Sequence, residues 1–161
     1  MKKCNVVAAI CALLFSGCAH NIKGVPTFEE RSRPQVTVRD GRIVVSPEIL
    51  YYFPDERDVQ VVWQLPRDSK YRFPVDQSIS KEPGIVIEGR LADRVLRGAA
   101  APDSVALEKQ DEIVECVVRN EGLEFTCLNR HRQPGVYKYT IRLVEPKSRD
   151  RLVRDPPLVN M

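Results

Sequence analysis

Hydrophobic and polar positions alternate with a period of two through most of this chain, and almost nowhere with the 3.6-residue period of a helix. Val36-Thr37-Val38-Arg39 and Arg42-Ile43-Val44-Val45 flank Asp40-Gly41. That dipeptide between alternating residues predicts a two-residue hairpin that pairs Val38 with Ile43 and Val36 with Val45, leaving one face wholly aliphatic. Ile49 to Phe53 adds a short strand before Pro54-Asp55. Val59, Val61, Trp63 and Leu65 alternate with Asp58, Gln60 and Gln64, with Val62 as the exception, so Trp63 points inward. Tyr71, Phe73 and Val75 repeat the pattern, and Pro74 marks an edge position. Ile85 to Glu88 is a further strand. In Val136 to Val144, Tyr137, Tyr139, Ile141 and Leu143 share a face opposite Lys138, Thr140 and Arg142.

Seven to nine short strands separated by Pro, Gly and Asp turns point to an all-β fold: an antiparallel β-sandwich, immunoglobulin-like in architecture. The pattern lapses between Gly89 and Glu112, where Leu91, Val95 and Leu96 suit a turn or two of amphipathic helix. A connection this long in a compact domain is a place to look for a binding surface. Glu108, Asp111 and Glu112 are expected to face water ahead of the next strand.

The N-terminus is of another kind. Met1-Lys2-Lys3 precedes an apolar run from Val6 to Phe15, about half the ~20 residues a membrane-spanning helix needs. A basic start, a short apolar run and small residues are the layout of a secretory signal. Leu14-Phe15-Ser16-Gly17-Cys18 resembles the lipobox of bacterial lipoproteins, with Phe15 where Leu is usual. The resemblance covers the signal alone. It implies that Cys18 is lipidated and becomes the first residue of the mature chain. Ala19, in place of an Asp, implies the outer membrane, facing the periplasm. Gly17 and Ala19 also have the spacing of a soluble secretory site, so cleavage after Ala19 is the alternative. On this reading residues 1–17 are the signal and 18–34 a lipidated cysteine with a flexible tether spanning roughly 20–25 Å. Residues 35–145 are the β-sandwich and 146–161 a C-terminal tail.

Removing the signal changes the charge and the cysteine count. Lys2 and Lys3 leave with it, taking the formal charge from +3 to +1, so the slight basicity is no clue to a partner and nucleic acid is not expected. Cys4 and Cys11 leave too. Cys116 and Cys127 remain, on strand-like segments Val114–Arg119 and Leu123–Leu128 around Asn120-Glu121-Gly122. If they face each other, Val118 meets Phe125 and Arg119 meets Glu124, while Val114, Cys116, Val118, Phe125 and Cys127 share a face. A slip of one residue sets Val118 against Glu124, so a hairpin disulfide is expected, worth about 3 kcal/mol by loop closure. It departs from the immunoglobulin pattern, in which the cysteines flank the tryptophan and join two sheets.

No nucleophile elbow, zinc-binding helix motif or phosphate loop occurs, and no cofactor, metal or enzymatic activity is expected. His20 falls in the tether. His131, in Asn129-Arg130-His131-Arg132-Gln133, is expected to be a solvated loop residue. Arg130, His131 and Arg132, with Tyr51 and Tyr52, form the candidate binding surface, since exposed tyrosines and arginines favour interfaces. The expected function is a non-catalytic protein-binding or envelope-assembly accessory module, held to the membrane by its lipid and acting on an envelope protein. The alternative is an inhibitor or immunity lipoprotein against a cell-wall hydrolase or toxin.

Overall fold

The computed structural model describes residues 24–75, 83–91, 107–148 and 150–161. Cys18, and the helical turn expected around Val95 and Leu96, lie outside the described residues.

A short helix α1 (Phe28–Ser32) precedes the strands β1 (Gln35–Arg39), β2 (Arg42–Ser46), β3 (Leu50–Tyr52), β4 (Val59–Gln64), β5 (Ile85–Leu91) and β6 (Leu107–Glu108). They are followed by β7 (Ile113–Arg119), β8 (Glu124–Asn129), β9 (Gly135–Val144), β10 (Arg151–Arg154) and β11 (Pro157–Asn160). One sheet has the order β2-β1-β4-β8-β7 and the other β3-β11-β9-β5-β6, with β10 also on β9. Their inner faces share one core, in which Trp63 of the first sheet donates from Nε1 to the Tyr139 hydroxyl of the second at 3.4 Å. The Trp63 ring lies 5.4 Å from that of Tyr139 and 6.4 Å from Phe125. All four inward residues of β9, Tyr137, Tyr139, Ile141 and Leu143, are fully buried. Burial pushes the Tyr139 hydroxyl well above its ordinary range.

The expected hairpin is present in the expected register, Val38 opposite Ile43 and Val36 opposite Val45. Asp40 and Gly41 both have positive φ, 49° and 71°, as a two-residue turn of this kind requires. The sheets are mixed, however. Beside the antiparallel pairs, β1 runs parallel to β4 through Gln35 and Gln64, and β3 runs parallel to β11 from Leu50 opposite Leu158 to Tyr52 opposite Asn160.

Four further expectations change. Residues 146–161 are no tail: β10 and β11 lie in succession along one edge of β9, and Leu158 is fully buried. Arg154 also reaches the first sheet, donating to Ile43 O at 2.9 Å. Tyr71 to Val75 is not a regular strand. Arg72 bridges Val144 and Phe73 is buried, but Val75 is 66% exposed. The Cys116–Cys127 bridge joins neighbouring strands of one sheet, with Val118 opposite Phe125 and Arg119 opposite Glu124 as the alternation requires. Beyond it Glu115 bulges at φ 54°, shifting the register so that Ile113, not Val114, turns into the core. Finally, Thr27 to Ser32, expected within the tether, forms the helix.

Candidate functional site

A network of polar and aromatic side chains gathers at the end of the sandwich where α1 enters. A five-residue helix is far too short to hold itself, so its contacts decide its existence. Thr27 and Glu30 form a capping box: Thr27 N donates to Glu30 Oε2 at 2.7 Å, and Glu30 N donates to Thr27 Oγ1 at 3.3 Å. Those bonds, the backbone one foremost, hold the Glu30 carboxyl below its ordinary range.

Arg31 is the anchor. Its side chain is 4% exposed and its guanidinium faces the Glu56 carboxylate as a fork, at 2.7 and 2.8 Å. Nη1 also donates to Tyr51 O and Nε to Pro26 O, at 2.5 and 3.2 Å. The rings of Tyr51 and Phe53 lie 4.9 and 5.1 Å from its central carbon, with Phe28 and Tyr52 at 5.9 Å. Cation–π attraction therefore adds to the ion pair. Burial pushes the Glu56 carboxyl up, but hydrogen bonds from Arg31 and from Phe53 N, with the Arg31 charge, hold it below its ordinary value.

Glu56 passes the network on. Its carbonyl oxygen lies 2.9 Å from His131 Nδ1, and Met161 O lies 3.0 Å from His131 Nε2. Met161 N in turn donates to Tyr52 O at 3.0 Å. Asn129 of β8 and Asn160 of β11 exchange two amide hydrogen bonds, at 2.9 and 3.1 Å, and so tie the two sheets together in the interior. Burial, reinforced by the charge of Glu112, pushes the neighbouring Tyr137 hydroxyl up to about 12.

The structure brings the residues of the expected binding surface to this one end, yet sorts them differently. Tyr51 is half-buried against Phe53, and Arg132 is exposed. Arg130 is half-buried, donating from Nη1 to Asp111 O at 3.3 Å. Tyr52 and His131 are interior residues, at 0% and 4% exposure, so neither belongs to a surface. Tyr52 turns inward because β3 alternates, and its hydroxyl donates to Arg31 O at 2.8 Å. His131 is enclosed because the loop folds its ring between Glu56 and Met161, in place of the solvated position expected. Glu112 is buried too, against expectation. Its carboxylate accepts from Arg132 N at 2.6 Å and so fixes the loop that carries Arg130 and Arg132.

Arg31, Glu56, Asn129 and Asn160 are the residues that sequence reasoning missed. The Thr27-x-x-Glu30 capping pattern was the one local signal that the segment before β1 was ordered. What faces solvent here is apolar as well as charged: Val25, Phe28, Phe53 and Met161 are 39–48% exposed. An open cleft of about 1070 Å³ lies beside α1, lined by Glu29, Glu30, Arg33, Gln35, Ser46 and Gln64 among others. On the outer face of the second sheet Lys138 pairs with Glu88 at 2.8 Å and approaches Asp155 at 3.8 Å. Among the described residues, no group of three or more His, Cys, Asp or Glu side chains is placed to hold a metal ion. No described helix is long and apolar enough to cross a membrane.

No family model matches the chain. Its sequence is similar to a protein named uroporphyrinogen decarboxylase from Anaeromyxobacter sp. (strain Fw109-5), 34% identical over 74 residues. That stretch is 46% of this chain and only 20% of the relative's length. The name therefore describes the relative, and a fifth of its length does not carry its activity to this chain.

Proposed function

We propose that this chain is a lipoprotein anchored through Cys18 to the outer membrane and facing the periplasm. There it acts as a non-catalytic protein-binding or envelope-assembly accessory module. The supporting observation is how the domain meets its tether. Cys18 precedes Thr27 by about nine residues, and from Thr27 onward the chain is locked by the capping box and by Arg31 against Glu56. A buried, forked ion pair at the entry of the domain is a mechanical stop for a chain held at its other end. The exposed Arg132 and the half-buried Arg130 and Tyr51 offer a partner anchors of the kind that interfaces favour.

Cys18→Ala tests the anchor. Cells grown with labelled palmitate should label the wild-type chain and not the variant; a variant that still takes up label overturns the reading. Crosslinking of the tagged protein in intact envelopes, followed by mass spectrometry, identifies the partner.

The inhibitor or immunity reading draws support from the base of the 92–106 segment. Leu91 and Leu107 pair across β5 and β6, and Arg90 holds Glu108 at 3.2 Å. The strands that flank residues 92–106 are thus paired with each other, and that is what favours this reading. Deleting the 92–106 segment would abolish inhibition of a cell-wall hydrolase on that reading and leave an assembly partner bound on the first.

A further inference from the structure

We infer that the α1 end of the domain is itself a membrane-docking surface, and that its occupant is the headgroup region of a zwitterionic phospholipid bilayer. This rests on the anchored reading above and deepens it by giving the domain an orientation. Phe28 and Phe53, at 48% and 39% exposure, lie 5.9 and 5.1 Å from the Arg31 guanidinium; Val25 is exposed on the chain that enters α1, and Met161, exposed too, bonds to Tyr52 O through its backbone N. Exposed aromatic and aliphatic side chains gathered at one end suit the interfacial layer of a bilayer, where rings sit at headgroup depth.

Chain length says what covers them. From Cys18 to Val25 is about seven residues, which can reach at most about 25 Å. A lipid on Cys18 therefore keeps this end nearer the bilayer than the opposite end of the sandwich. Charge selects the kind of lipid. Acids and bases are mixed around the patch: Glu29, Glu30, Asp55 and Asp58 are exposed there, with Arg33, Arg57 and Arg132. This rim does not attract an anionic surface, so contact comes from the apolar side chains and is insensitive to salt.

The test uses the protein purified from membranes in detergent and reconstituted into phosphatidylethanolamine–phosphatidylcholine vesicles, with and without phosphatidylglycerol. Mass spectrometry of the same sample reports whether Cys18 carries lipid, which judges the anchor separately. A nitroxide on Glu29→Cys, and another on Asp68→Cys in the exposed turn after β4, then report depth by collision with oxygen and with a water-soluble relaxant. The expected result is Glu29 at headgroup depth and Asp68 in water, unchanged by phosphatidylglycerol or salt. Phe28→Ser with Phe53→Ser should lower the docked-to-undocked ratio by at least about tenfold, because each half-exposed ring contributes about tenfold or somewhat less. If Glu29 is as water-exposed as Asp68 on a lipidated chain, the docking surface is refuted and the anchor stands. If Cys18 carries no lipid, the anchor fails and vesicle flotation decides the docking: flotation lost in the Phe variant supports it, and no flotation overturns it.

Discussion

Neutralising Glu56 tests how the N-terminal limb is held. Glu56→Gln keeps the size of the side chain and removes its charge. Two unit charges about 4 Å apart attract by about 4 kcal/mol at the effective dielectric that reproduces measured pairs, and desolvation of both groups opposes that. Removing one partner of a buried pair typically costs about 3–5 kcal/mol. Here the amide oxygen of Gln can still accept one of the two Arg31 bonds, now at 2.7 and 2.8 Å, so a loss of about 2–3 kcal/mol is expected. Arg31→Met leaves the carboxylate unpaired and removes the cation from the rings of Tyr51 and Phe53, so it should cost about 3–5 kcal/mol. The double variant should lose less than the two losses together by at least about 1.5 kcal/mol. Urea unfolding followed by the emission of Trp63, the sole tryptophan and fully buried, measures each value.

The pH dependence gives the same experiment a second arm. Glu56 is held below its ordinary 4.5 in the folded protein. A carboxyl lowered in this way contributes its full stability above the unfolded value and loses it as pH falls through the folded one. The gap between wild type and Glu56→Gln should therefore be constant near neutrality and narrow below about pH 4.5. Other carboxyls lowered by their partners, such as Glu88 beside Lys138, titrate in both proteins and cancel in the difference. Equal stabilities at neutral pH, or a gap that acid does not narrow, would refute the assignment of Arg31 and Glu56 as the clasp.

Three other outcomes are expected. Cys116→Ser opens a bridge across 11 positions, worth about 3 kcal/mol by loop closure. Calorimetry without reductant should show the midpoint lowered by roughly 6–12 °C, and an unchanged midpoint would mean that the bond does not form. Gly89 has φ +147°, and a Cβ there would sit 2.6 Å from Glu108 O. Gly89→Ala should accordingly detach β6, at a cost of about 1–3 kcal/mol, seen as faster amide exchange at Arg90 and Leu91; unchanged exchange would count against the close approach. Asn129→Asp sets a carboxylate against Asn160 Oδ1 in the interior. It should cost about 2–4 kcal/mol at pH 7 and less at pH 4, because burial raises the new carboxyl and its protonated form donates again; equal losses at both pH values would show that the site is wet.

Alternation revealed the inward faces of the regular strands because burial acts on every second residue there. The Asp40-Gly41 hairpin, the inward Trp63 and the four buried residues of β9 were all legible for that reason. The same reasoning went astray where the period breaks. At Glu115 one extra residue enters β7, and every position N-terminal to it changes face, which exchanged Ile113 for Val114. Leu152 and Leu158 also stand in strands, but Asp155-Pro156-Pro157 cuts their run into two pieces of four residues. Each piece is too short to show a period, and their pairing to opposite ends of β9 is a property of the partner strand.

The clasp at the end of the sandwich was illegible for a different reason. Arg31 and Glu56 are 25 positions apart, Asn129 and Asn160 are 31, and His131 and Glu56 are 75. A polar side chain in a loop leaves the same mark on the sequence whether it meets water or a distant partner, since the requirement that it be satisfied carries no period. Hydrophobic burial selects a face from neighbours in the chain, whereas a buried ion pair is selected by the fold that brings its halves together. Arg31 therefore looked like tether. Its ordering has a consequence for the proposed function: if Cys18 is the anchor, about nine residues separate it from the capped start of α1, where a tether of about sixteen was expected. The greatest distance that stretch can span is proportional to its length, so it falls by a little under half. If the α1 end docks on the bilayer as inferred, a partner that engages Arg130 and Arg132 has to share that end with the lipid.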